Sequence, residues 1–167
     1  MTQIFLGIGA ILLLGIATIS MNRGFEANDE VMRSSKHAVI ATSIAASVIE
    51  DATGRAFDEV SIDSLIVDPS GLTSPGALGP ESGETAHTPD DFDDYDGFTR
   101  YDTVDVGGAL NKVVFLTSAV VTYVQPTTPE LTSSSRTLFK KISVTVTSPT
   151  MKETVRQELV FTYFRFQ

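Results

Sequence analysis

Residues 1–57 read MTQIFLGIGAILLLGIATISMNRGFEANDEVMRSSKHAVIATSIAASVIEDATGRAF, and this stretch decides the fold. No charged side chain occurs before Arg23, and Ile4, Phe5, Leu6, Ile8, Ile11, Leu12, Leu13, Leu14, Ile16 and Ile19 make its first part almost continuously apolar. As a helix, residues 1–22 would be about 30 Å long, enough to cross a bilayer. Residues 22–57 contain no proline, and apolar residues recur there at helical spacing: Val31, Ala38, Ala41, Ala45, Val48, Ala52 and Ala56, with Ile40, Ile44 and Ile49 beside them. The two halves predict one long helix, apolar over 1–22 and amphipathic over 23–57, ending by Phe57-Asp58-Glu59. A helix apolar on every face has to be covered, by lipid or by other helices.

Three readings compete for the apolar half. A secretory signal would start with Lys or Arg, whereas Met1-Thr2-Gln3 has neither, and Ala17-Thr18-Ile19 is a poor cleavage site. A single membrane span fits the length, with Asn22-Arg23 at the water boundary. The third is a polymerisation helix that packs in a bundle of its own copies. Gly7, Gly9, Ala10, Gly15 and Ala17 would let neighbouring backbones approach closely, although no strict G-x-x-x-G occurs. Arg23, Glu26, Asp29, Glu30, Arg33 and Lys36 follow as a charged, solvated collar.

The formal net charge of −9 argues against nucleic acid and against an acidic lipid surface as partners. Without cysteine there is neither a disulfide framework nor thiolate chemistry. The leading helix leaves residues 58–167 for a globular head, in a chain of 167 residues that is 42% hydrophobic. Residues 60–67 look like a short strand. Residues 68–89, where Pro69, Pro75, Pro80 and Pro89 alternate with glycines, read as a long surface loop. Residues 113–124, 138–147 and 153–166 read as strands, with a Pro/Thr/Ser loop over 125–135. The alternation Ile142, Val144, Val146 against Ser143, Thr145, Thr147 makes the last two an antiparallel hairpin. The expected fold class is α+β, the amphipathic half-helix packing on one face of an antiparallel sheet.

Asp90-Asp91-Phe92-Asp93-Asp94-Tyr95-Asp96-Gly97-Phe98 is the second informative stretch. Its carboxylate density invites a cation, but it fails the EF-hand pattern, because a loop glycine at Gly97 puts Phe92 in the first ligand position. The preferred reading is an acidic turn in which Asp93, Asp94 and Asp96 cap backbone N–H groups while Phe92, Tyr95 and Phe98 dock on the body; an irregular cation site is the alternative. No metal or cofactor is therefore expected. His37 on the helix and His87 in the loop stand far apart in sequence, no nucleophile–base–orienter set is legible, and an enzyme is not expected.

An apolar N-terminal helix running into an amphipathic one resembles the type IV pilin and pseudopilin superfamily. Ala45-Ala46-Ser47-Val48-Ile49-Glu50-Asp51, leading to Ala56-Phe57-Asp58-Glu59, is similar to the end of the long helix in minor-pilin-like proteins. Phe92-Asp93-Asp94-Tyr95-Asp96-Gly97-Phe98 resembles the acidic turn of the mannose-sensitive haemagglutinin minor pilins. The resemblance covers about the first hundred residues and implies a long curved helix, a β-sheet head and a homopolymer of identical subunits with their apolar halves at the centre. Ile4, Phe5, Ile8, Ile11, Leu12, Leu13, Leu14, Ile16 and Ile19 would be the packing residues. It also implies insertion in the inner membrane before assembly, an extracellular filament afterwards, and adhesion to a target the residues do not identify. Two departures stand out. No short basic leader ending in glycine precedes Met1, which implies a leader already removed or another export route. Phe5 stands where the family usually carries a glutamate that pairs with a neighbour's terminal amine during assembly.

Overall fold

A computed structural model describes residues 2–81, 83–84, 88–107 and 112–163. Helix α1 runs without interruption over Thr2–Thr53. It closes where Gly54 N donates to both Glu50 O and Asp51 O at 3.1 Å, a tightened last turn. The chain divides into two compact units, Met1–His37 and Ala38–Gln167, so the C-terminal part of α1 belongs to the second unit.

In the first unit the helix is apolar around its whole circumference as far as Asn22, after which the charged collar begins. Its large side chains are bare, from Ile4 at 68% exposed to Leu13 at 71%. The Thr18 hydroxyl donates to Leu14 O at 2.8 Å, which satisfies a polar group inside an otherwise apolar surface.

The second unit is an α+β head. Among the described residues it holds five strands: β1 Thr99–Asp105, β2 Lys112–Gln125, β3 Thr128–Thr132, β4 Phe139–Thr147 and β5 Val155–Thr162. They form an antiparallel sheet in the order β1-β2-β4-β5, with β3 paired to the end of β2. The expected β4–β5 hairpin is present, with Ile142 opposite Leu159 and Val144 opposite Gln157. Along β4, Ile142, Val144 and Val146 are buried while the intervening residues are half-exposed, as period-2 alternation dictates. Ala41, Ala45, Val48, Ile49 and Ala52 of α1 join Val113, Phe115, Ala119 and Val121 of β2 and the buried residues of β4 in one core. Alanines on the contact face bring the helix backbone close to the sheet.

Two expectations are corrected. Residues 60–67 do not form a strand: Glu59–Asp63 is a short helix, α2, because Asp58 accepts from Val60 N and donates its own N–H to Ser61 Oγ in a capping box. That local cap outweighs the β-branched Val60 and Ile62, which stay exposed. Residues 125–135 are not wholly a loop, since they contain β3, which carries Pro129 and, among the described residues, pairs with β2 alone. The edge strand β1 adds to the three strands located in the sequence, in a sheet expected to hold three or more.

The 68–89 segment is partly anchored. Leu72 is buried with Phe57, Ile66 and Tyr123 in a second small cluster, and Thr73 N donates to the Asp58 carboxylate at 3.1 Å.

Candidate functional site

Two features stand out: the bare apolar helix of the first unit, and a group of buried charges inside the second.

All the expected packing residues, Ile4, Phe5, Ile8, Ile11, Leu12, Leu13, Leu14, Ile16 and Ile19, lie on the exposed surface of α1. α1 contains a segment long and apolar enough to cross a membrane, none of it buried within the chain. Cβ atoms added at Gly7, Gly9 or Gly15 would meet nothing within 4 Å, so these positions are gaps in the side-chain cover. Covering large side chains of this kind is worth roughly 1.5–3 kcal/mol each.

The buried charges gather around Lys140. The inward alternation of β4 places this lysine on the core face, where it is fully buried. Its Nζ donates to Phe57 O at 2.8 Å, to Asp58 Oδ2 at 2.8 Å and to Asp93 Oδ1 at 2.6 Å. The ammonium also lies 4.6 Å from the Phe57 ring centre and 5.4 Å from that of Tyr123. Asp58 takes further support from Thr73 N, while the Tyr123 hydroxyl donates to Thr73 O at 2.8 Å.

The acidic turn supplies the other side. Asp93–Tyr95 is one turn of 3₁₀ helix. Asp91 Oδ1 accepts from Asp93 N at 2.8 Å and from Asp94 N at 3.1 Å, and Asp94 Oδ2 accepts from Asp90 N at 2.9 Å and Asp91 N at 3.3 Å. Phe92, Tyr95 and Phe98 sit in the core, and the Tyr95 hydroxyl donates to Asp51 Oδ2 on α1. Asp96 accepts from Val121 N of β2 at 2.9 Å. Of the expected residues, Asp93 and Asp94 are therefore buried in the turn, while Asp96 ties it to the sheet. Asp93 itself spends one oxygen on Lys140 rather than on a backbone cap.

Sequence reasoning missed Lys140, Asp58, Asp91 and Glu81. A signal for Lys140 was present, because the period that points Ile142 inward also points residue 140 inward. Glu81 brings a further acidic side chain to the turn: carboxylate oxygens of Glu81, Asp91 and Asp93 lie within 4.8 Å of one another. Burial pushes Asp91 up to about 8, helped by the Asp93 carboxylate beside it. Glu81 is pushed up to about 7 by burial and then by Asp94 and Asp93. Asp93 is raised by burial against the opposing pull of Lys140. Burial, followed by the Asp51 carboxylate that accepts its proton, raises Tyr95. His37 lies on α1 and belongs to no cluster of metal-ligating side chains among the described residues. His87 lies outside the described residues.

No protein-family model, no curated protein and no solved structure matches this chain.

Proposed function

We propose that the chain is the structural subunit of a pilus-like helical filament, polymerising through the apolar first half of α1 after a membrane-inserted stage. The observation that carries this reading is the continuous helix whose large side chains over residues 4–19 are bare on every side. In water that surface is unstable, and copies of the same helix would cover it on all faces at once. The gaps at Gly7, Gly9 and Gly15 favour close helix approach, and the internally bonded Thr18 hydroxyl suits an apolar surrounding. The head has its own core, so it can remain folded as the apolar half passes from lipid into a polymer. The role is structural and not catalytic: the buried ionisable groups anchor β4 and the acidic turn to each other.

The second reading is a single-pass envelope protein with a small β domain outside the membrane, favoured by the match between the apolar segment and one bilayer crossing. Negative-stain microscopy of material sheared from producing cells, with antibody against the head, separates the two. Labelled filaments are expected; chain found wholly in the membrane pellet, with none sheared off, would favour the anchor.

A further inference from the structure

Among the described residues, the interior of the head holds four buried carboxyl groups, Asp58, Asp91, Asp93 and Asp94, and one buried ammonium, Lys140. Lys140 bonds only Asp58 and Asp93 among these carboxylates. Asp91 and Asp93 are at most 1% exposed and their carboxyls lie close enough to share a proton; apart from each other, Asp91 Oδ2 and Asp93 Oδ2 have no hydrogen-bond partner among the described residues. Glu81 Oε2, at the edge of the same group, is also buried and without a partner. A buried carboxylate oxygen with nothing to accept from is costly, and a native interior supplies either a proton or a cation in that position.

We propose that Glu81, Asp91 and Asp93 bind a calcium ion, which fastens the 68–89 segment to the acidic turn. The donor set is hard oxygen throughout, which selects calcium or magnesium over thiophilic or imidazole-preferring metals. Calcium takes ligands at about 2.3–2.6 Å in irregular arrangements, so oxygens spread over as much as 4.8 Å fit around one ion. Magnesium, at about 2.0–2.1 Å, requires a tighter octahedron and keeps its waters. The backbone already fixes one side of the site: Asp91 Oδ1 is held by Asp93 N and Asp94 N, leaving Oδ2 for the ion. Asp93 Oδ1 is held by Lys140, leaving its Oδ2 likewise. The ion would also offset the excess of negative charge that Lys140 alone does not balance.

The test uses the full chain in detergent, stripped with EDTA and titrated calorimetrically with calcium chloride at about pH 9, above the value of about 8 to which Asp91 is pushed, so that protons compete less. Binding of about one equivalent is expected, with a rise of several degrees in Tm at saturation. Glu81→Gln, at the half-buried edge, should weaken calcium binding at least tenfold while leaving the Tm in EDTA unchanged or higher. Asp91→Asn, which keeps the Oδ1 acceptor, should do the same. Absence of binding and of any Tm change at about 10 mM calcium, well above the weak extracellular range, would overturn the proposal. So would unchanged affinity in Glu81→Gln, or magnesium binding as tightly as calcium.

Discussion

Lys140 Nζ lies 2.6 Å from Asp93 Oδ1, an ion pair that fastens the fourth strand to the acidic turn from the inside of the head. The residues are 47 positions apart in sequence, and both are excluded from solvent. The turn is also held by Asp96, which accepts from Val121 N of β2, by Phe92 N, which donates to Ala56 O at 2.9 Å, and by its buried aromatic side chains.

Lys140→Met should be strongly destabilising. The substitution keeps the bulk but leaves Asp58 and Asp93 buried without their counter-charge, a loss of about 3–5 kcal/mol. Urea unfolding of the full chain in detergent, followed by near-ultraviolet circular dichroism, checks it. A loss below about 1 kcal/mol, the scale of an exposed pair, would mean that the pair is solvated.

The acidic turn should be held more by its rings than by its hydroxyl. Phe92 is fully buried with its ring centre 4.9 Å from that of Phe161, so Phe92→Ala should cost about 3–5 kcal/mol. Tyr95→Phe removes the hydroxyl that bonds Asp51 and Arg55, whose side chains are exposed and can turn to water, and should cost about 1 kcal/mol. The reverse order in denaturant midpoints would show that the polar anchor dominates.

Helix and sheet meet through small residues. Ala45 is fully buried in the core, whereas its neighbour Ala46 is exposed. Ala45→Leu should cost about 1–3 kcal/mol by forcing the helix off the sheet. Ala46→Leu should stay within about 0.5 kcal/mol of the parent. Thermal melts of the two variants side by side test which face of α1 carries the head.

The sequence reveals elements wherever one physical period runs long enough. The 3.6-residue repeat with no proline gives α1, and the alternation of Ile142, Val144 and Val146 gives β4. β1 escaped because its half-buried positions include Arg100 and Asp102, which pair with each other at 2.9 Å instead of burying apolar surface. α2 was misread because a cap set by Asp58 and Ser61 overrides the β preference of Val60 and Ile62. The capping role of the acidic turn was legible in its spacing, but its connection to Asp58, Glu81 and Lys140 was not. Those residues come from distant parts of the chain and meet only when the sheet is built.

The most direct measurement for the polymer account is filament yield from Leu13→Lys, normalised to the amount of chain in the membrane fraction. Leu13 is mid-way along the uncharged stretch and 71% exposed in the single chain. In a filament, neighbouring apolar helices would enclose it, and an unpaired charge there would cost several kcal/mol in every subunit. In a lone membrane span the same lysine costs only about 3 kcal/mol, lessened by snorkelling, so anchoring survives. Membrane-inserted chain with a folded head, by near-ultraviolet circular dichroism, and no sheared filaments are expected. Filaments at the wild-type yield from Leu13→Lys would contradict the polymer account.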